Sequence, residues 1–275
     1  MKKLIVIAIL AAVSMPLSHA GKNKYVEASR QPEIVSQWNG AKVAYLGDSI
    51  TDERQYPGQE VYWSLLKNIL GIEPYVYGIS GHQTRHIKGQ AEKLLSEHGQ
   101  NVDAIFIFIG TNDYNSCVPL GQWYTERLDT ANFNGRLCAC KRREPVMDAN
   151  TMRSSINSFM SYLKENYPTK QIILLTPIHR GFFAHSDTNV QPDEFHTNRA
   201  GLYIDDYIEV IRETASVWAV PVIDLCSISG LYPMAEAQVQ YFRNRDRDKL
   251  HPNTEGHRRI AYALAYQLLG YPAKF

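Results

Sequence analysis

Past its first twenty residues the sequence has no apolar run long enough to cross a bilayer, which takes about 20 residues in a helix. It has no internal repeat, no low-complexity tract and no linker, so nothing divides it into separate domains. It has almost no net charge: 29 Lys and Arg against 28 Asp and Glu leave +1, too little for a general attraction to nucleic acid or anionic lipid. Cysteine is scarce, with four in 275 residues, and Cys138-Ala139-Cys140 has no nearby C-x-x-C or H-x-x-x-H to complete a metal site. No metal or cofactor is expected, no nucleic-acid partner and no stable membrane association; the oligomeric state stays open.

What is present begins with an export pattern. Lys2 and Lys3 precede an apolar run from Leu4 to Val13, and Ser18-His19-Ala20 offers a small-x-small cleavage site before Gly21. Residues 1–20 read as a removed signal peptide rather than a membrane anchor, because the apolar run is too short to span. No cysteine follows the cleavage site, which argues against a lipoprotein anchor. Removing 20 of 275 residues leaves 255, enough for one domain over 21–275, periplasmic or secreted. In an oxidising compartment, Cys117 is expected to bridge to Cys138 or Cys140, with which it shares one irregular segment; Cys226 lies apart.

Short β-rich apolar runs alternate with segments of helical period, the pattern of a parallel sheet covered on both faces. Strands are predicted at Lys42–Leu46, Glu73–Tyr77, Ala104–Ile109, Gln171–Thr176 and Val220–Asp224. Helices are predicted at Glu60–Leu70, Thr84–Glu97, Thr151–Asn166, Gly201–Trp218 and Thr254–Leu269. Two long connections, 114–150 and 179–198, fall at the carboxyl end of the sheet, where open α/β sheets bind ligands.

Four short segments at that same end carry chemistry. Gly47-Asp48-Ser49 follows the first strand; a serine hydroxyl becomes a useful nucleophile only when a base takes its proton. Asp248-Lys249-Leu250-His251 supplies an imidazole and, three residues before it, a carboxylate able to fix its tautomer; Pro252 restrains His251 to extended backbone. Gly78-Ile79-Ser80-Gly81 offers a backbone amide where a side chain would crowd a substrate, and Gly110-Thr111-Asn112-Asp113 offers a side-chain amide just past a buried strand. Each segment alone also suits an ordinary turn or helix cap.

Taken together, their order and spacing resemble the SGNH, or GDSL-type, hydrolase family across nearly all of the chain after residue 20. The resemblance implies a three-layer α/β/α sandwich with a five-stranded parallel sheet, the flavodoxin-like SGNH fold. It also implies a catalytic triad of Ser49, Asp248 and His251, with an oxyanion hole made by the amides of Ser49 and Gly81 and the side chain of Asn112. Two positions depart from the family pattern: Tyr77 stands where many members carry Asn, and His82 where Asp is common.

Substrate contacts are expected from His82, from Trp123 and Tyr124 in the first long connection, and from His179 and Arg180 just past the fourth strand. Phe182 and Phe183 add aromatic faces that suit a sugar ring or an acyl chain, and Arg136, Lys141, Arg142 and Arg143 add positive charge. The expected activity is that of an exported serine esterase, foremost a carbohydrate O-acetylesterase. The rivals are a lipase, lysophospholipase or thioesterase with the same triad, and a non-catalytic carbohydrate-binding protein on the same fold.

Overall fold

The computed structural model describes residues 36–274, and the signal-like segment lies outside them. In chain order the elements are β1 (Lys42–Gly47), α1 (Tyr62–Leu70), β2 (Glu73–Val76), α2 (Ile87–His98), β3 (Ala104–Phe108), α3 (Thr111–Asn115), β4 (Tyr124–Phe133), β5 (Arg136–Pro145) and α4 (Met152–Asn166). They continue with β6 (Gln171–Leu175), β7 (Phe183–Ser186), β8 (Asn189–Gln191), α5 (Ile204–Trp218), β9 (Val222–Ile223), α6 (Leu225–Ile228), β10 (Phe242–Asn244), β11 (Asp248–Pro252) and α7 (Thr254–Leu268). The five predicted strands form one sheet in the order β2-β1-β3-β6-β9, every pairing parallel, as the sequence leads one to expect. This is the flavodoxin-like order, in which the chain reverses direction across the sheet beside β1 and β3.

Strand residues alternate between two cores because successive side chains point to opposite faces. Val43, Tyr45, Phe106, Phe108, Ile173 and Leu175 meet α1 and α7 on one face. Ala44, Leu46, Ile105, Ile107, Ile172 and Leu174 meet α2, α4 and α5 on the other. Local signals set the helix ends: Thr151 accepts from the Ser154 amide to start α4, Asn253 accepts from the Glu255 and Gly256 amides to start α7, and Gly71 at φ +73° ends α1.

The two long connections are more ordered than the sequence reading expected. Within 114–150, β4 and β5 form a ten-residue-per-strand hairpin turned by Asn134 (φ +52°) and Gly135 (φ +83°), the left-handed pair of a type I′ turn. Within 179–198, β7 and β8 join β10 and β11 in a second sheet of order β10-β11-β7-β8. The expected bridge from Cys117 is not formed, and all four thiols are free. Cys140 pairs with Asp129 and Cys138 with Ala131, so the nearer thiol sits five residues out from the hairpin base at Tyr124 and Pro145, roughly 16 Å at ~3.3 Å per residue. Cys117 instead follows α3, which comes after the central strand β3.

Candidate active site

β1 ends at Gly47 because nothing larger fits: a Cβ there would lie 2.6 Å from the Phe108 carbonyl and 2.7 Å from Thr51 Oγ1. Gln90 of α2 grips the same residue, accepting from its amide and donating to its carbonyl, both at 2.8 Å. The chain then coils tightly, with the Thr51 and Asp52 amides donating to the Asp48 carbonyl and the Ile50 amide to Asp48 Oδ1. Ser49 is thereby presented at the top of the sheet. Among the described residues its amide donates to no protein acceptor, and neither does that of Gly81, which sits at φ +81°.

Asn112 lies in the first turn of α3, and cross-ties bring it to the Gly81 loop. Its Nδ2 donates to the His82 carbonyl at 3.1 Å, while buried Asp113 beside it accepts from the Thr84 amide and from Thr84 Oγ1 at 2.6 Å. Two amide donors and one side-chain donor thus belong to neighbouring βα turns after β1, β2 and β3.

Asp248 and His251, the expected acid and base, come from the second sheet. Asp248 pairs with Asn244 of β10 and Phe183 of β7, and Asn253 donates to the Gln240 and Phe242 carbonyls, which fixes the 248–253 segment from both sides. His251 Nε2 lies 2.9 Å from Ser49 Oγ, and His251 Nδ1 lies 3.0 Å from each Asp248 carboxylate oxygen. Phe183 packs edge-on against the imidazole at 5.1 Å. Burial alone would raise the Asp248 carboxyl, but hydrogen bonds from the His251 ring and from the His251 and Leu250 amides outweigh it and hold Asp248 below its ordinary value. An ionised Asp248 keeps the proton on Nδ1, leaving the Nε2 lone pair facing the serine.

A family model for GDSL-like lipases and acylhydrolases matches residues 45–259, which contain every residue of this arrangement. The chain belongs to that family. A protein of Lactobacillus plantarum is 25% identical over 85% of this chain and 98% of its own, with a TM-score of 0.65. A possible lipase from Chitinophaga pinensis is 20% identical over 82% and 97%, with a TM-score of 0.60. A catalytic mutant of an acetylxylan esterase from Geobacillus stearothermophilus is 19% identical over 88% and 99%, with a TM-score of 0.50. No curated protein matches the chain. This GDSL-like acylhydrolase is therefore of an ester-hydrolysing family.

Beside Gly81 and Asn112 the acylhydrolase has a cavity of about 590 Å³ that also meets Asn115, Gln191, Asn198 and Arg199. A second cavity, of about 630 Å³, lies across the Gly81 loop and meets His82, His86, Arg54 and Arg85. Of the residues expected to contact substrate, His82 belongs to this second cavity: its ring stacks on His86 at 4.5 Å and its Nδ1 lies 2.9 Å from Gln90 Nε2. Its carbonyl, not its ring, serves the site, through Asn112. Trp123 and Tyr124 line neither cavity. The Trp123 indole donates to Glu213 at 2.6 Å beneath Arg153, and Tyr124 lies under Arg143 at the hairpin base.

Arg180 has no exposed surface, so its expected contact with substrate gives way to a positioning role. Its guanidinium donates to Asn115 Oδ1, to Thr111 Oγ1 at 3.3 Å and to Gln191 Oε1 at 2.9 Å, and lies over the Tyr114 ring at 5.1 Å. His179 faces Glu194 and Cys226. The sequence reading did not single out Gln90, Asp113, Asn115, Gln191 or Glu194. All are polar residues whose importance comes from partners 11 to 65 residues away, and only Asp113 falls within one of the four quoted segments.

Proposed function

We propose that this chain is an exported serine esterase that works through an acyl-enzyme, and that its substrates are O-acetylated carbohydrates. The observation carrying the chemistry is the unbroken relay from Ser49 Oγ to His251 Nε2 at 2.9 Å and from His251 Nδ1 to Asp248 at 3.0 Å. His251 takes the Ser49 proton as Oγ attacks the ester carbonyl, and the ionised Asp248 stabilises the imidazolium. The oxygen, now negative, is met by the Ser49 and Gly81 amides and by Asn112 Nδ2, each such donor being worth about 3 kcal/mol in related chemistry. The imidazolium returns its proton to the leaving alcohol; a water activated by the same His251 then releases the acid.

The cavity wall favours a small acyl group on a polar carrier. Asn112, Asn115, Asn189, Gln191 and Asn198 supply amides, while Val190 is the one aliphatic chain beside the ring of Pro192. A long acyl chain finds only Val190, Pro192, Cys117 and the Tyr114 ring as apolar partners there, whereas sugar hydroxyls find donors and acceptors. Each added methylene without a pocket costs about 1 to 3 kcal/mol in selectivity. An acetylxylan esterase among the structural neighbours is in keeping with acetyl-sugar chemistry on this fold.

A fluorophosphonate probe tests the mechanism: one label is expected on the peptide containing Ser49, and Ser49→Ala should lose both label and turnover. Labelling elsewhere with undiminished turnover would sink it. Rates on acetate, butyrate and octanoate esters test the substrate class and are expected to fall in that order; faster octanoate turnover would favour a lipase. Export is tested by sequencing the mature amino terminus, expected at Gly21.

A further inference from the structure

Apart from the ester site, the structure holds a second set of nucleophile, base and orienting acid. Cys226 Sγ lies 3.5 Å from His179 Nε2, and His179 Nδ1 lies 2.9 and 3.1 Å from the two Glu194 oxygens. The three residues come from three separate connections at the carboxyl edge of the sheet, after β6, β8 and β9. Glu194 is buried and is fixed a second time by the Arg180 amide, which donates to its Oε2 at 2.9 Å. Tyr232 stands edge-on to His179 at 5.1 Å, and 30% of the His179 side chain and 9% of Cys226 are exposed.

Hydrogen bonding to Cys226 and then to Glu194 outweighs burial and pushes His179 up to about 10, so the imidazole holds a proton across the neutral range. The other charged or titratable groups packed against the pair are Arg212 of α5, ion-paired with Asp224 at 2.9 Å, and the Tyr232 phenol. The nearby amides are already engaged. That of Cys226 donates to Thr176 Oγ1 at 3.0 Å, and those of Ser227 and Ile228 donate to the Asp224 carbonyl. A tetrahedral oxyanion formed on Cys226 would meet none of these donors, which argues against a second acyl-transfer centre. Attack on a soft electrophile builds no such oxyanion.

We propose that Cys226, His179 and Glu194 form a thiol centre for reaction with hydroperoxides, making Cys226 an oxidation site on this chain. The thiolate sulfur attacks one peroxide oxygen and forms an S–O bond. The O–O bond breaks with its electron pair on the leaving oxygen, which takes the His179 proton. Sulfur is oxidised by two electrons to the sulfenic acid, and hydrogen peroxide is reduced to water. Thiolate character, rather than exposure alone, sets the rate.

The test treats the full chain with one equivalent of hydrogen peroxide at pH 6, traps sulfenic acid with dimedone and maps the label by peptide mass spectrometry. Label on Cys226 is expected to exceed that on Cys117, Cys138 and Cys140 at least tenfold, despite the greater exposure of Cys138. His179→Gln should lower Cys226 labelling at least tenfold and Glu194→Gln by less, with circular dichroism confirming that each variant is folded. Preferential labelling of Cys138, or wild-type labelling in folded His179→Gln, would overturn the proposal. Should His179→Gln fail to fold, the ranking of the four cysteines in the wild-type chain still decides.

Discussion

Asp48 offers a stringent test of how the nucleophile turn is held, because it is a carboxyl group with almost no water around it. It is 2% exposed and accepts the Ile50 amide at 3.0 Å; beside it a void of about 10 Å³ is walled by Phe108, Ile109, Pro177 and Leu250. Burial pushes Asp48 up from 3.8 to about 7; the Ile50 amide opposes the rise and the charge of Asp113 adds to it. The folded state therefore holds this proton more tightly than the unfolded chain does. Protonated Asp48 stabilises the fold fully below about pH 3.8, and that contribution disappears as pH rises through 7. Three pH units at about 1.4 kcal/mol each give roughly 4 kcal/mol lost across the window.

Asp48→Asn keeps the oxygen that accepts from Ile50 and cannot ionise, so it should remove this slope. Its amide NH₂ faces an apolar wall, at a pH-independent cost of about 1 to 3 kcal/mol if unpartnered. The absolute Tm is thus a poor readout, and the difference between variant and wild type as a function of pH is the right one. At about 2 to 4 °C per kcal/mol for a domain of this size, the variant should gain on the order of 10 °C over the wild type between pH 4 and pH 8. Thermal melts by circular dichroism at constant ionic strength measure it. Parallel Tm curves for the two proteins would refute a carboxyl held protonated by burial.

Three point substitutions and one hairpin replacement probe separate features of the fold and site. Asn112→Ala should lower kcat on p-nitrophenyl acetate by about 10²- to 10³-fold with a small change in KM, and unchanged kcat would remove it from the oxyanion hole. Gly78→Ala would put a Cβ 2.6 Å from Thr51 Cβ and 2.8 Å from its backbone carbon, so a loss of about 1 to 3 kcal/mol is expected in urea unfolding. Gly89→Ala, on an exposed face of α2 with nothing within 4 Å, should instead gain about 0.5 to 1 kcal/mol. Replacing Glu126–Arg143 by a two-residue Asn-Gly turn should leave Tm and acetate turnover nearly unchanged, because both faces of the hairpin are solvated and its ion pairs are exposed; a large loss in either would show that the arm packs on the domain.

The sheet was legible in the sequence because its central strands β1, β3 and β6 are buried on both faces and read as largely apolar runs, with Ala104–Phe108 the clearest. Its helices were legible because Thr151 and Asn253 announce their starts. The hairpin was not, since charges occupy both of its faces and no apolar alternation survives; Asn134-Gly135 was the one signal available. The second sheet joins β7 to β11 across some sixty residues, a pairing no local pattern encodes. Trp123 misled for a related reason: an aromatic ring in a connection says nothing of its partner, which here is Glu213 on α5. Arg180 misled because a charged residue is read as exposed unless a specific set of acceptors is known.

That buried arginine bears on how the two halves of the site are kept in register. Ser49, Gly81 and Asn112 stand on turns of the parallel sheet, whereas Asp248 and His251 stand on the smaller sheet, and the 2.9 Å contact between Ser49 and His251 spans the two. Burial pulls Arg180 down to about 10, a sign that its charge is costly to hold there, and its Nε has no partner. Its other nitrogens reach both platforms: Thr111 and Asn115 on the α3 turn that carries Asn112, and Gln191 on β8 of the smaller sheet. One residue on, the Gly181 amide donates to the Lys249 carbonyl at 2.8 Å, within the strand that carries His251. A leucine in place of Arg180 would avoid the burial of charge but could hold neither Asn115 nor Gln191. The cost in stability is thus set against a fixed spacing between the Asn112 turn and His251.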